Sequence, residues 1–186
     1  MPGNYAVIGM GFVGLSQAIA LAKSGHNVIG VEKSNGKLDW LNDYAQGGRD
    51  DFPLFEKDLD RETRELVKAG RLRFTDNLVD ALNNSEAMFV AVGTESLQDG
   101  KANLSAVYDV AKNTTRFLDS QRPYIWVTKS TVPPGTAEQV RKFFKDHNVA
   151  VVSNPEFMAE GTALKDTMYP DRVVVGAEED WAIEAM

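Results

Sequence analysis

Three glycines near the amino terminus follow a short apolar run at fixed spacing. Residues 6–8 predict a buried strand, and Gly9, Gly11 and Gly14 come directly after it. In such a loop one glycine permits the tight turn, one lets a pyrophosphate approach the backbone, and one lets the next helix pack closely. The helix is predicted to open at about Phe12, so its unpaired N–H groups would face the phosphates. The pattern therefore predicts dinucleotide binding, with an ordinary glycine turn as the alternative.

A carboxylate lies at the matching place on the next predicted strand. Glu32 closes the run NVIGV, 18 residues after Gly14. At the end of the second strand of such a unit, a carboxylate can accept hydrogen bonds from both ribose hydroxyls. The two features together favour a nucleotide cofactor more strongly than the glycines do alone.

Three further loops carry polar residues directly after predicted strands. Their candidate functional residues are Gly93, Thr94, Ser130, Thr131, Glu156 and Glu160. We expect these loops to converge, because the carboxyl ends of parallel strands meet at one edge of a sheet. If the last loop is helical, its two glutamates share one face, and paired carboxylates suit proton transfer or orientation of water. A polar turn, helix capping by the hydroxyls and two solvated glutamates are the alternatives.

Strand and helix patterns alternate along almost the whole chain. Strands are predicted at residues 6–8, 28–31, 72–74, 88–92, 124–128, 149–152 and 173–175. Helices are predicted at residues 13–24, 36–44, 60–69, 78–83, 104–118 and 136–145. Several of the strands are continuous apolar runs, which is typical of parallel strands covered on both faces. The succession predicts an α/β fold with a doubly wound (Rossmann-type), mainly parallel sheet and helices on both faces.

Two segments depart from this alternation. Residues 45–58 combine Gly, Pro and Asp and predict an irregular insertion. Residues 177–186 are predicted to start an acidic helix, which we interpret as the beginning of a further part of a longer protein. The expected nucleotide-binding domain is therefore residues 1–176.

The amino-acid composition of the chain excludes several classes of function. The chain has 186 residues and a formal net charge of −7, which argues against nonspecific nucleic-acid binding. It contains no cysteine, which excludes disulfides, zinc–thiolate sites and a thiol nucleophile within these residues. His26 and His147 are not grouped with other metal-ligating residues in the sequence, so we expect no metal site. There is no basic leader and no long apolar run, so we expect a cytoplasmic protein without a membrane partner.

Seven stretches together resemble one family, the nucleotide-sugar 6-dehydrogenases of the UDP-glucose/GDP-mannose dehydrogenase superfamily. They are IGMGFVGL, GHNVIGVE, AVGT, DGKANLS, KSTVPPGT, NPEFMAEGTALKD and PDRVVVG. They occur in the family's order and cover nearly the whole chain. The resemblance implies the NAD-binding domain of an enzyme of polysaccharide biosynthesis that oxidises the C6 alcohol of a nucleotide sugar to a carboxylate with two NAD. UDP-glucose is the favoured sugar nucleotide.

The resemblance also implies roles for individual residues. Those that would bind the cofactor are Gly9, Met10, Gly11, Phe12, Val13, Gly14, Glu32, Lys37, Gly93, Thr94, Ser130 and Glu160. Thr131 and Glu160 would orient the hydrolytic water, and Glu156 would manage protons in the hydrolysis of a thioester. Those that would bind the substrate are Glu156, Phe157, Met158, Ala159 and Glu160.

Several features differ from the family's usual pattern. Glu32 stands where Asp is more frequent, but it keeps a carboxylate that repels a 2′-phosphate and so favours NAD over NADP. Glu95 stands where Pro is usual. The family's catalytic cysteine and its partners would lie beyond residue 186, so we expect this chain alone to be inactive and only the full-length protein to form a homodimer. The alternatives are a stand-alone NAD-binding or sensor module and a fragment of a 3-hydroxyacid dehydrogenase-like enzyme.

Overall fold

A sheet of six parallel strands forms the centre of the molecule. The structure is a computed structural model that describes residues 2–159 and 161–186. The strands are β1 (Asn4–Ile8), β2 (Asn27–Val31), β3 (Leu72–Thr75), β4 (Ala87–Val90), β5 (Tyr124–Thr128) and β6 (Val149–Ser153). Their order across the sheet is β3-β2-β1-β4-β5-β6. This order confirms the predicted doubly wound α/β fold.

Helices cover both faces of the sheet. They are α1 (Phe12–Lys23), α2 (Asn35–Gln46), α3 (Leu59–Lys68), α4 (Leu78–Asn83), α5 (Ser105–Phe117), α6 (Thr136–Phe143), α7 (Ala163–Met168) and α8 (Asp180–Ala185). One apolar core lies under α1, α2, α3, α7 and α8. A second core lies under α4, α5 and α6. The strands β1, β2, β4, β5 and β6 contribute to both cores, which explains why they are apolar at consecutive positions, whereas Arg73 on the edge strand β3 is exposed.

The strand order reverses between β1 and β4. Val7 of β1 lies beside Gly30 of β2 on one side and beside Phe89 of β4 on the other. The crossovers on the two sides of this point cover opposite faces of the sheet. In an open α/β sheet, this reversal leaves a crevice at the carboxyl ends of the strands, where ligands bind.

The predicted seventh strand is wrong. Residues 173–175 run alongside the edge strand β6, but the segment joins it only through an antiparallel bridge between Ser153 and Gly176. Asn154 supplements that bridge by donating its side-chain N–H to the carbonyl oxygen of Val174 over 2.8 Å. The valines that suggested a buried strand are partly open to solvent, with Val173 exposed to 66%. The prediction failed because three consecutive apolar residues do not show in the sequence whether a helix covers them.

Residues near the carboxyl end pack against the rest of the molecule. In α8, Ala182 is fully buried and belongs to the core under α1. The Arg141 guanidinium of α6 lies 2.9 Å from the Glu178 carboxylate just before α8. The domain boundary at residue 176 stays a prediction.

Candidate cofactor and active site

The glycine loop connects β1 to α1 with two glycines in positions that no side chain could occupy. Gly9 has a φ of +91°, and a Cβ there would lie 2.6 Å from the carbonyl oxygen of Ala91. A Cβ at Gly14 would overlap the carbonyl oxygen of Gly9. Glycine is therefore required at both positions for the loop to turn and for α1 to pack against it.

Gly11 has a different role. A Cβ there would meet nothing within 4 Å, so the space beside it is open. Gly11 is the N-cap of α1 and makes no side-chain cap. The first amides of a helix lack acceptors within the helix and lie at the positive end of its dipole. Open space and free amides suit a pyrophosphate, so this loop fits the cofactor that the sequence predicts.

Glu32 lies beside the glycine loop and accepts hydrogen bonds from backbone amides. Its Oε2 accepts from the Met10 amide over 3.2 Å and lies 3.3 Å from Lys37 Nζ. Its Oε1 accepts from the Ser34 amide over 3.0 Å. Burial alone would raise the pKa of Glu32, but the amide of Ser34, the ammonium of Lys37 and the amide of Met10 outweigh burial and lower it. The carboxylate is therefore ionised next to the glycine loop, as a contact to ribose hydroxyls needs.

Met10 contributes to this loop through its backbone. Its side chain is fully buried in the core. A Cβ at Gly30 of β2 would lie 2.7 Å from the Met10 sulfur and 2.7 Å from the Phe74 ring. Gly30 is therefore a packing requirement of the loop that the sequence did not reveal. The neighbours of Met10 in the loop, Phe12 and Val13, begin α1, and Phe12 is 38% exposed.

The loops after β4 and β5 are tied together by their hydroxyls. Thr94 donates its hydroxyl to the carbonyl oxygen of Thr131 over 2.8 Å. Ser130 donates its hydroxyl to the carbonyl oxygen of Val92 over 2.7 Å. The following helix has Gly135 as its N-cap, so helix capping by Ser130 and Thr131 is the wrong interpretation.

Thr131 and Glu156 form a hydrogen-bonded pair across the loops after β5 and β6. The Thr131 hydroxyl donates to Glu156 Oε1 over 2.6 Å. Glu156 Oε2 is buried and has no hydrogen-bond partner within residues 2–159 and 161–186. Residues 154–159 are not helical, so the argument that helical spacing aligns Glu156 with Glu160 does not hold for them. Glu160 itself lies outside the described residues.

A buried lysine lies beneath this pair, and sequence reasoning missed it. Lys129 directly follows β5 and is only 7% exposed. Its Nζ donates to Asn154 Oδ1 over 3.3 Å. Burial lowers the pKa of Lys129, while the nearby Glu156 carboxylate acts in the opposite direction. The signal in the sequence that could have revealed Lys129 was its position between a predicted buried strand and two hydroxyl residues.

The residues predicted to bind substrate line the rim of the same edge. Phe157 is 47% exposed, with the Arg172 guanidinium 5.4 Å from its ring centroid. Met158 borders a cavity of about 210 Å³ together with Lys129 and Phe157. The amide of Ala159 donates to Asp166 Oδ2 over 3.0 Å. The structure thus brings the predicted substrate residues that it describes close to the Thr131–Glu156 pair.

The irregular insertion supplies a further residue that the sequence did not reveal. Glu56 is 8% exposed, although it lies in the loop before α3. Its Oε2 accepts from the Gly161 amide over 2.8 Å, and its Oε1 accepts from the Ala163 amide over 3.0 Å. Glu56 therefore anchors the end of the loop after β6 and the start of α7.

Residues 2–159 and 161–186 contain no group of three or more His, Cys, Asp or Glu placed to hold a metal ion. Across the same residues, the longest apolar helix falls short of what is needed to cross a membrane.

A doubly wound sheet with a glycine loop at the start of a helix and an ionised glutamate directly after the second strand defines a dinucleotide-binding domain of the dehydrogenase class. The family model for the NAD-binding domain of the UDP-glucose/GDP-mannose dehydrogenase family matches residues 3–186. The chain belongs to this family, and its cofactor is NAD. The resemblance and the cofactor predicted from the sequence are thereby confirmed.

Individual relatives agree with this assignment. The UDP-glucose 6-dehydrogenase of Rhizobium meliloti (strain 1021) is 42% identical over 177 residues, which cover 92% of this chain and 39% of the relative. Among solved structures, a UDP-glucose dehydrogenase from Pyrobaculum islandicum has a TM-score of 0.89 and 33% identity, covering 100% of this chain and 43% of its own. A GDP-mannose dehydrogenase from Pseudomonas aeruginosa has a TM-score of 0.86 and 28% identity, covering 97% of this chain and 42% of its own. The chain spans about two fifths of the length of these relatives.

Proposed function

We propose that this chain is the NAD-binding part of an enzyme that oxidises the C6 alcohol of UDP-glucose to a carboxylate. The observation that carries the proposal is the position of two polar groups at one edge of the sheet. Glu32 and the glycine loop lie on one side of the strand reversal. The Thr131–Glu156 pair lies on the other side. The relatives named above as UDP-glucose dehydrogenases support the choice of sugar nucleotide.

In this proposal the residues around β1 and β2 bind the cofactor. The first amides of α1 hold the pyrophosphate, and the open space at Gly11 lets it approach. Glu32 accepts hydrogen bonds from the adenosine ribose, for which Lys37 and the Met10 amide already hold it in place. Bound NAD supplies the hydride acceptor. Gly93, Thr94 and Ser130 line the nicotinamide half.

The residues after β5 and β6 handle water and protons. The Thr131 hydroxyl donates its hydrogen bond to Glu156 Oε1, so the hydroxyl oxygen keeps lone pairs that can accept a hydrogen bond from a water molecule. Glu156 Oε2 has no hydrogen-bond partner among the described residues, and we assign the Glu156 carboxylate as the acceptor of the proton from that water. We assign Glu160 to the same water. The backbone of Phe157–Ala159 contacts the phosphate side of the substrate.

The remaining steps need more than these residues. The 186 residues contain no cysteine, so they cannot form a thioester by themselves. We assign that step, and homodimer formation, to a longer cytoplasmic protein in which residues 1–176 form the NAD-binding domain. Residues 177–186 then lead towards a central helix and a second domain.

The test is calorimetric titration of the 186-residue chain with NAD and NADP, followed by UDP-glucose on the NAD-loaded chain. We expect saturable NAD binding and at least roughly tenfold weaker NADP binding, because Glu32 repels a 2′-phosphate. Glu32→Ala should weaken NAD and reduce the difference between the two cofactors. Glu65→Gln, on an exposed part of α3, serves as the control for a change in charge. Absence of saturable NAD binding at millimolar concentration contradicts the proposal.

A further inference from the structure

Glu95 lies in the loop after β4 with its side chain folded back along that loop. A Cβ at Gly93 would overlap the Glu95 carboxylate and would lie 3.0 Å from its Cδ. The carboxylate therefore covers the backbone of Gly93, a residue predicted to contact the cofactor. The backbone on either side is fixed, because Thr94 donates to the carbonyl oxygen of Thr131 and Asn103 donates to that of Glu95.

This loop forms one wall of the crevice at the strand reversal. It follows β4, which lies directly beside β1, and Cβ atoms at Gly9 and Gly14 would both contact Ala91 at its start. Glu32 lies on the other side of β1, at the end of β2. A dinucleotide whose adenosine ribose contacts Glu32 and whose pyrophosphate lies on the glycine loop must extend its nicotinamide towards β4 and β5. Glu95 is therefore on the nicotinamide side.

The charge of Glu95 is not compensated by a neighbour. Residues 2–159 and 161–186 contain nine ion pairs, and Glu95 takes part in none of them. In the same loop, Asp99 is paired with Lys101 Nζ at 2.9 Å. Glu95 is thus the carboxylate of this loop that forms no ion pair with a described residue.

We propose that Glu95 makes the site discriminate between oxidised and reduced NAD. The nicotinamide ring carries one positive charge when oxidised and none when reduced, while the rest of the cofactor is the same. An uncompensated carboxylate on the nicotinamide side attracts the oxidised ring only, so it favours binding of NAD⁺ and release of NADH. An enzyme that uses two NAD in succession gains from that release. The inference rests on the proposed function, because it requires the cofactor to lie across this edge.

The experiment measures Kd for NAD⁺ and for NADH on the 186-residue chain and on its variants. The ratio of the two constants isolates the ring charge, since all other contacts are shared. Glu95→Gln should lower Kd(NADH)/Kd(NAD⁺) by about threefold, the size expected for one charge acting across a solvated gap of several ångströms. Glu95→Lys should lower it further. In about 0.5 M salt the difference between wild type and Glu95→Gln should shrink, because exposed charges are screened.

Glu65→Gln removes the same charge from an exposed position on α3 and should leave the ratio unchanged. If both Glu95 variants bind NAD⁺ with the wild-type ratio, the inference is overturned while the proposed function stands. If the wild-type chain does not bind NAD⁺, the proposed function fails and the inference fails with it.

Discussion

The hydroxyl of Thr131 lies 2.6 Å from Glu156 Oε1 and donates to it, joining the loops after β5 and β6. The bond links the loop that follows β5 to the loop that follows its neighbour, the edge strand β6. It leaves the second carboxylate oxygen of Glu156 without a partner among the described residues. The pair is therefore organised before any ligand arrives, with one oxygen of Glu156 bound to Thr131 and the other buried without a partner.

Loss of this bond should appear as a coupling energy between the two residues. We expect Thr131→Val and Glu156→Ala, which remove the donor and the acceptor, each to destabilise the chain, and a double-mutant cycle to give a coupling of about 1 kcal/mol, as for a solvent-accessible hydrogen bond to a charged group. Urea unfolding of the four proteins measures it. Thr131→Ser keeps the donor and should stay within about 0.5 kcal/mol of wild type. Additive effects of the two substitutions would show that the pair does not interact.

Two glycines of the loop should respond in opposite ways to the same substitution. Gly14→Ala places a methyl group against the carbonyl oxygen of Gly9 and should cost about 1–3 kcal/mol of unfolding free energy. Gly11→Ala places it in open space with an ordinary φ of −78°, so stability should change by less than about 0.5 kcal/mol. NAD affinity, however, should fall at least roughly tenfold in Gly11→Ala, because the methyl group takes the space of the pyrophosphate.

Thermal or urea unfolding and NAD titration of both variants make this comparison. Each glycine serves as the control for the other. Wild-type NAD affinity in Gly11→Ala would mean that the pyrophosphate does not approach the backbone there.

The sheet and the glycine loop could be predicted because their signals are local. Each strand between two helical layers needs apolar residues at consecutive positions, and β5 and β6 show this directly in the sequence. The glycine spacing reflects contacts within one turn, such as Gly14 against Gly9. The sequence pattern also placed Glu32 at the end of β2, where the structure has it.

Other features depend on contacts between distant parts of the chain. Glu56 binds amides 105 and 107 residues away, and no periodicity of its own loop predicts that. Lys129 and Asn154 meet only because β5 and β6 are neighbours in the sheet. Residues 173–175 were predicted to form a strand because they are apolar. Their residue types alone do not show whether another element covers them. Long-range packing, rather than local propensity, decided these cases.

Glu56 should control the order of the segment that it anchors. In Glu56→Gln the size is kept, but the side-chain amide nitrogen cannot accept, so one of the two backbone amides loses its partner. We expect hydrogen exchange at Gly161 and Ala163 to accelerate about tenfold or more, in line with a cost of about 1–3 kcal/mol for an unsatisfied buried group. Exchange in β1 should change less. Unchanged exchange at both amides, with Glu65→Gln as the reference, would contradict this role.

A buried ion pair between α1 and α3 should make stability depend on pH. Burial alone would raise the pKa of Glu62, but hydrogen bonds from Lys23 and Arg61 outweigh burial and lower it below its ordinary value of 4.5. A carboxyl group with a lowered pKa in the folded state stabilises it above the unfolded pKa, and that contribution is lost as the pH falls through the folded pKa. At pH 7, Glu62→Gln should therefore be less stable by about 1–3 kcal/mol, below the full cost of a buried pair because Lys23 is partly exposed. Urea unfolding between about pH 7 and pH 3 should show the stability difference between wild type and Glu62→Gln shrinking below about pH 4.5. The control Glu65→Gln should match wild type throughout. A stability difference that stays constant with pH would show that Glu62 acts through packing and not through its charge.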